Sequence, residues 1–150
     1  MATGEQRMRG LEAELTADLG GGWSLAGAYA YIASEVTEDT VAANLGKPLN
    51  NVPRHSVSLW GAKHFGGPLA GWYAGAGMRA ESAKRGYTFN YTVPGYAVAD
   101  LGVGYVASHW KAALNVKNVF DKAYYAGGLS NNIVPVGNPR TVMLNVALNY

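Results

Sequence analysis

The sequence predicts an all-β protein, an antiparallel transmembrane β-barrel segment of about seven strands. Three observations carry that expectation: apolar and polar residues alternate along each candidate strand, the connections alternate between short and long, and the composition favours strands. Alternation with a period of two marks a strand with one wet face and one dry one. Twenty glycines weaken helices, while ten tyrosines and four tryptophans favour pleated surfaces. No run of about 18 apolar residues occurs, which excludes a spanning helix, whereas a spanning strand needs only about 10.

In the first strand Leu11, Ala13, Leu15, Ala17 and Leu19 share one face, and Glu12, Glu14, Thr16 and Asp18 share the other. Gly20 to Gly22 supply the turn into WSLAGAYAYIASEV, where Leu25, Tyr29 and Tyr31 keep the register, so the pair reads as a hairpin. SVSLWGAKHF follows with Val57 and Leu59, then GWYAGAGMRAESAK with Trp72, Ala74, Ala76 and Met78. The fifth strand, YAVADLGVGYVA, aligns Ala97, Ala99, Leu101, Val103 and Tyr105. In the sixth, WKAALNVKNVF, Trp110, Ala112, Leu114 and Val116 oppose Lys111, Asn115 and Lys117, a second face too polar for a sandwich interior. The seventh, TVMLNVALNY, alternates Val142, Leu144, Val146, Leu148 and Tyr150 up to the last residue.

The connections at 20–22, 66–71 and 107–109 are short, and those at roughly 37–55, 86–95 and 121–140 are long. Outer-membrane barrels sort their loops in this way, with short periplasmic turns and long extracellular loops, and a soluble meander has no reason to. Trp23, Trp72, Tyr96, Trp110 and Tyr150 stand near strand ends, where such barrels carry aromatic girdles. YTFNYTV and NNIVPV could each supply part of an eighth strand, but both sit where loops are expected.

Several function classes drop out. A net charge of +2 with unclustered basic residues gives no nucleic-acid footprint. Without cysteine there are no disulfides and no thiolate metal sites, and His55, His64 and His109 have no ligand-type spacing, so neither a metal nor a cofactor is expected. No Gly-x-Ser-x-Gly elbow or Ser-His-Asp arrangement is present, GAGMRA is an incomplete phosphate cradle, and no catalytic residue is assigned. The opening MATGEQRMRG lacks the apolar core of a secretory signal peptide.

Five blocks carry a family resemblance: TGEQRMRGLEAEL, GKPLNNVPRHSVSLW, VPGYAVADLGVGY, LNVKNVFDKAYY and GNPRTVMLNVALNY. In this order and spacing they resemble the C-terminal barrel part of TonB-dependent siderophore receptors. Asn115, Asn118, Phe120, Asp121, Pro139, Arg140 and the terminal Tyr150, which replaces the more usual Phe, fall on the family's motif positions. At the mouth of a strand, Asn118 and Asp121 suit turn-forming roles rather than chemistry.

The resemblance implies that residues 1–150 are the C-terminal portion of a 22-stranded plugged barrel whose plug domain is absent from this chain. It implies a cell outer membrane location and uptake of ferric siderophores. The implied partners are the ferric siderophore, TonB through the plug, the barrel assembly machinery through the last strand, and outer-membrane lipid. Arg79, Arg85, Tyr87, Phe89, Tyr91, Tyr124 and Tyr125 are the candidate siderophore contacts. Each aromatic has girdle or loop packing as its alternative, and each arginine an ion pair with Glu81 or Asp100. Seven strands alone would leave unpaired edges, so the isolated chain is not expected to transport. The rival readings are a small outer-membrane barrel enzyme or adhesin, a receptor for cobalamin, haem or a glycan, and a soluble β-sheet binding module.

Overall fold

The computed structural model describes residues 4–87, 91–130 and 132–148; Phe89 and Tyr150 lie outside the described residues. The strands in chain order are β1 (Glu5–Gly20), β2 (Trp23–Glu38), β3 (His55–His64), β4 (Trp72–Glu81), β5 (Lys84–Arg85), β6 (Thr92–Val93), β7 (Tyr96–Val106), β8 (Trp110–Lys117) and β9 (Thr141–Leu148). Seven of them form one sheet in the order β1-β2-β3-β4-β7-β8-β9, every pair antiparallel, while β5 and β6 form a small separate hairpin. The seven expected strands and their three short and three long connections are all present. The described sheet is open, with β1 and β9 at its edges.

Two boundaries differ from the sequence reading. The fourth strand stops at Glu81 rather than running to Lys84, and Lys84–Arg85 turns aside to pair with Thr92–Val93, inside the YTFNYTV stretch. The sixth stops at Lys117, because Asn118 has φ of 50° and a left-handed residue cannot continue a strand.

Register fixes which side chains share a face. One face carries Leu11, Leu25, Leu59, Met78, Leu101, Leu114 and Leu144, and the other carries Glu14, Ser58, Arg79, Asp100 and Lys117. Leu11 is 75% exposed and Leu144 is 69% exposed, whereas the buried hydrophobic residues among those described are only Val36, Leu49, Val93 and Val98. A water-soluble domain of this length would bury far more, so the apolar face is the side that lipid covers. The sheet curls toward the charged face: Glu12 and Glu14 of β1 share a hollow of about 420 Å³ with Arg79 and Glu81 of β4.

Aromatic residues mark the lipid face at the short-turn end. Tyr105 lies between Trp72 and Trp110, at centroid distances of 5.2 and 5.4 Å. The Lys63 ammonium sits 5.2 Å from the Trp23 ring centroid and also donates to the Gly21 carbonyl. Tyr96 departs from the girdle expectation. It pairs with Glu81 on the charged face, its hydroxyl donates to Glu81 Oε1 at 3.2 Å, and its ring packs on Tyr124 at 4.3 Å. Its parity is opposite to that of Tyr105, which takes the girdle position instead.

Inward-facing aromatic rings lie flat over inward-facing glycines of the next strand. A Cβ on Gly75 would stand 2.5 Å from the Trp60 ring, and one on Gly104 would stand 2.4 Å from Tyr73. Absent side chains thus make room for large ones on the neighbouring strand. The hairpin of β1 and β2 is the tallest element. Both strands have 16 residues, against 10 in β3, and they run on together beyond the last β2–β3 pair, Tyr31 with His55.

Candidate functional site: the charged face and its long-loop mouth

Asp100 is the hub of the charged face. Only 4% exposed, it accepts Arg79 Nε and Lys117 Nζ, each at 3.3 Å, and the backbone N–H of Asn118 at 2.9 Å. A buried carboxylate needs such partners, since an unpaired one would be strongly penalised. Arg79 is therefore engaged in the wall, the arrangement the sequence reading set beside siderophore contact. Lys84, almost buried, donates to Glu81 Oε2 at 2.7 Å.

Immediately beyond β8 the chain knots. The Asn118 side chain, 1% exposed, donates through Nδ2 to the carbonyls of Lys122 (2.9 Å) and Asn138 (3.1 Å), and its Oδ1 accepts the Lys122 N–H at 3.0 Å. Asp121, at φ of 52°, accepts the Arg140 N–H at 2.8 Å, and the Arg140 guanidinium reaches the Val119 carbonyl at 3.4 Å. Asn and Asp tolerate left-handed backbone better than other side chains, which is why they stand at these two positions. Asn115, on the charged face of β8, pairs with Gly102 and Met143, and Pro139 precedes Arg140 in the same knot. Phe120 is 80% exposed and contributes nothing to the knot.

The three long loops are joined to one another. Asn51 of the first, at φ of 59°, exchanges two hydrogen bonds with the backbone of Gly128 in the last: Nδ2 to its carbonyl at 2.9 Å and Oδ1 from its N–H at 2.7 Å. The Asn51 N–H donates to the Arg85 carbonyl at 2.8 Å, tying the first loop to the second. Tyr91 of the second loop donates its hydroxyl to the Ser130 carbonyl of the last at 2.8 Å. Nearer the start of the first loop, the Asp39 carboxylate accepts the Val41 N–H at 2.7 Å and the Asn44 amide at 3.0 Å, which together hold its pKa below the ordinary aspartate value.

The sequence candidates divide accordingly. Tyr87 and Tyr91 meet the last loop around Gly128 and Arg85 meets the first loop at Asn51, whereas Tyr124 and Arg79 lie deeper, with Tyr124 packed on Tyr96 and over Gly137. Tyr125 bridges to Val136 within the last loop and is 45% exposed. Asn51 belongs to the GKPLNNVPRHSVSLW block, but no bonding role was expected of it, since an asparagine in a long loop has no periodic neighbour to mark its partner.

The clamp makes an expectation. Asn51→Ala removes both bonds to Gly128, a loss of about 1–3 kcal/mol of loop stability. Limited proteolysis of the folded receptor should then cut within residues 126–134 several-fold faster, while the strands stay protected. Equal cleavage rates in the two proteins would mean that the clamp holds nothing.

A curled antiparallel wall, apolar outside and charged inside, with long loops joined at one end, defines a segment of a membrane-spanning β-barrel. The chain belongs to the TonB dependent receptor-like, beta-barrel family, whose model matches residues 2–119. It is 38% identical over 151 residues to the metal-pseudopaline receptor of Pseudomonas aeruginosa, an alignment covering 98% of this chain and 21% of that protein. It is 36% identical over 130 residues to the ferrichrome outer membrane transporter/phage receptor of Escherichia coli, covering 82% of this chain and 17% of that one. Among solved structures, the ferric preacinetobactin receptor of Acinetobacter baumannii superposes with a TM-score of 0.84 at 26% identity, over 99% of this chain and 23% of that one. The chain spans about a fifth of the length of these relatives. Their names describe receptors and transporters rather than enzymes.

Proposed function

We propose that residues 1–150 form the C-terminal portion of the barrel domain of a TonB-dependent receptor in the outer membrane, and that this receptor takes up ferric siderophores. The observation that carries the reading is a wall with a lipid-facing apolar side and a charged lumen side in a chain whose relatives are named as receptors for metal chelates. In this reading β9 is the strand presented to the barrel assembly machinery, the lipid face meets outer-membrane lipid, and TonB acts through a plug carried elsewhere in the receptor. This chain contributes wall and mouth, so it does not transport by itself.

The test is accumulation of radioactive iron from ferric siderophores by iron-starved cells. Deleting the gene that contains this sequence should abolish TonB-dependent uptake of at least one chelate, and expression of residues 1–150 alone should not restore it. Energised uptake by the 150-residue chain would overturn the claim that it cannot transport. Loss of cobalamin, haem or glycan uptake instead of iron would reassign the cargo.

A further inference from the structure

On the lipid face at the short-turn end, β7, β8 and β9 frame a groove of about 360 Å³, with Trp72 of β4 at its side. Register explains its shape. Ala112 stands directly opposite Tyr105 on β7 and between Trp110 and Leu114 on its own face of β8, so one small side chain is ringed by large ones. Val103, Leu114 and Leu144 lie in one cross-strand row and close the groove on the side toward the middle of the membrane. No charged side chain lines it.

The turn side differs in kind. Trp72, Tyr105 and Trp110 form a continuous shelf of rings there. The turn fixes its depth: the Gly71 carbonyl accepts the Val106 N–H at 2.9 Å, and a Cβ on Gly71 would stand 2.8 Å from the Tyr105 ring. Among the described residues, neither indole N–H of the shelf nor the Tyr105 hydroxyl has a hydrogen-bond partner. Tyrosine and tryptophan at a membrane interface keep an apolar body in hydrocarbon and a polar tip at headgroup level. Three unpaired donors, and an uncharged groove running from them toward the bilayer centre, fit a molecule with acceptor oxygens at one end and an alkyl chain at the other. The groove is continuous with the lipid face, so its occupant comes from the bilayer itself.

We infer that this groove is a saturable site for one two-chain phospholipid of the leaflet that the short turns face. One acyl chain lies over Ala112, and the ester and phosphate oxygens accept from Trp72, Tyr105 and Trp110. The inference rests on the receptor reading above and specifies its lipid partner. Because the lining carries no charge, the site reads the oxygens common to all phospholipids, and zwitterionic and anionic headgroups bind alike.

The experiment uses the full-length receptor purified in mild detergent, washed free of bulk lipid and titrated with phosphatidylethanolamine or phosphatidylglycerol while native mass spectrometry counts the bound molecules. The expected result is one phospholipid per receptor held more tightly than any further copy, with the two headgroups within about threefold of each other and no loss on adding salt. Ala112→Leu fills the groove and should lower the affinity for that copy about tenfold. Replacing Trp72, Tyr105 and Trp110 together by Phe keeps the rings, removes the three donors and should lower it by a similar factor. Ala97→Leu, on the same face of β7 but far toward the long loops, should change nothing. Heat-resistant mobility of the folded receptor should survive Ala112→Leu, which separates lost lipid from lost fold.

Phospholipid copies of equal, graded affinity in wild type and Ala112→Leu would show an annulus of bulk lipid and overturn the site. A first copy that selects the anionic headgroup and is washed off by salt would overturn recognition through the shelf. A dimeric wild type that becomes monomeric in Ala112→Leu, with no lipid lost, would assign the groove to a second receptor copy instead. Each of these leaves the receptor reading standing where deletion of the gene abolishes chelate uptake. A full-length protein that neither enters the outer membrane nor supports uptake would remove both readings together.

Discussion

Asn118→Ala in the full-length receptor should cost about 3–5 kcal/mol and leave much of the protein without its folded, heat-resistant mobility on electrophoresis. Three hydrogen bonds disappear with the side chain, and the carbonyls of Lys122 and Asn138 and the N–H of Lys122 lose their partner. The site is nearly sealed, since Asn118 is 1% exposed, so water cannot readily replace what is lost. Alanine also fits poorly at φ of 50°. Because the Asn118 N–H holds Asp100, which in turn holds Arg79 and Lys117, the damage should spread into the charged face. Lys122→Ala is the control: only its main chain enters the knot among the bonds described, and the expected change is within about 0.5 kcal/mol. Equal urea midpoints for wild type and Asn118→Ala would show that the last loop does not depend on this residue.

The second large effect is expected at Gly75. Any side chain there must displace the Trp60 indole, which a Cβ would approach to 2.5 Å, while the nearest main-chain atom, the Gly61 carbonyl oxygen, would be 3.1 Å away. Overpacking of this kind costs about 1–3 kcal/mol, and Gly75→Val should lie at the upper end, because valine adds two methyl groups into the ring. Trp60→Ala should relieve most of the penalty, so the double variant should be more stable than the sum of the two single changes predicts, by about 1 kcal/mol or more. Urea unfolding of the four proteins in detergent closes the cycle. Simple additivity would mean that the ring and the glycine do not constrain each other.

Much of the wall was legible in the sequence because a strand writes its two faces as parity. Leu11 to Leu19 and Trp110 to Val116 declared the lipid side without any knowledge of partners. The same parity, carried one step further, places Tyr96 on the charged face, since Ala97 to Tyr105 take the other; nearness to a strand end was the weaker guide. Strand ends were less legible. β8 stops where Asn118 turns left-handed, and β4 stops where Lys84 and Arg85 find partners in Thr92 and Val93, neither of which alternation records.

The loop mouth was the least legible part. The bonds from Asn51 to Gly128 and from Tyr91 to Ser130 join residues 77 and 39 positions apart, and nothing periodic links them. Trp60 is an intermediate case: its strand and face follow from alternation, but its fit over Gly75 appears only once β3 and β4 are in register.

The β1–β2 hairpin outruns its neighbour by about six residues, roughly 20 Å along the strands. A bilayer core needs only about 9–11 tilted residues to cross, so this excess has no hydrocarbon to match. In the outer-membrane reading proposed above, it stands as a parapet over the neighbouring strand β3 on this stretch of the rim. A short epitope inserted at Thr40, whose backbone lies past the last residue of β2, would be expected to sit above the wall, and its accessibility on intact cells would report which way this hairpin points.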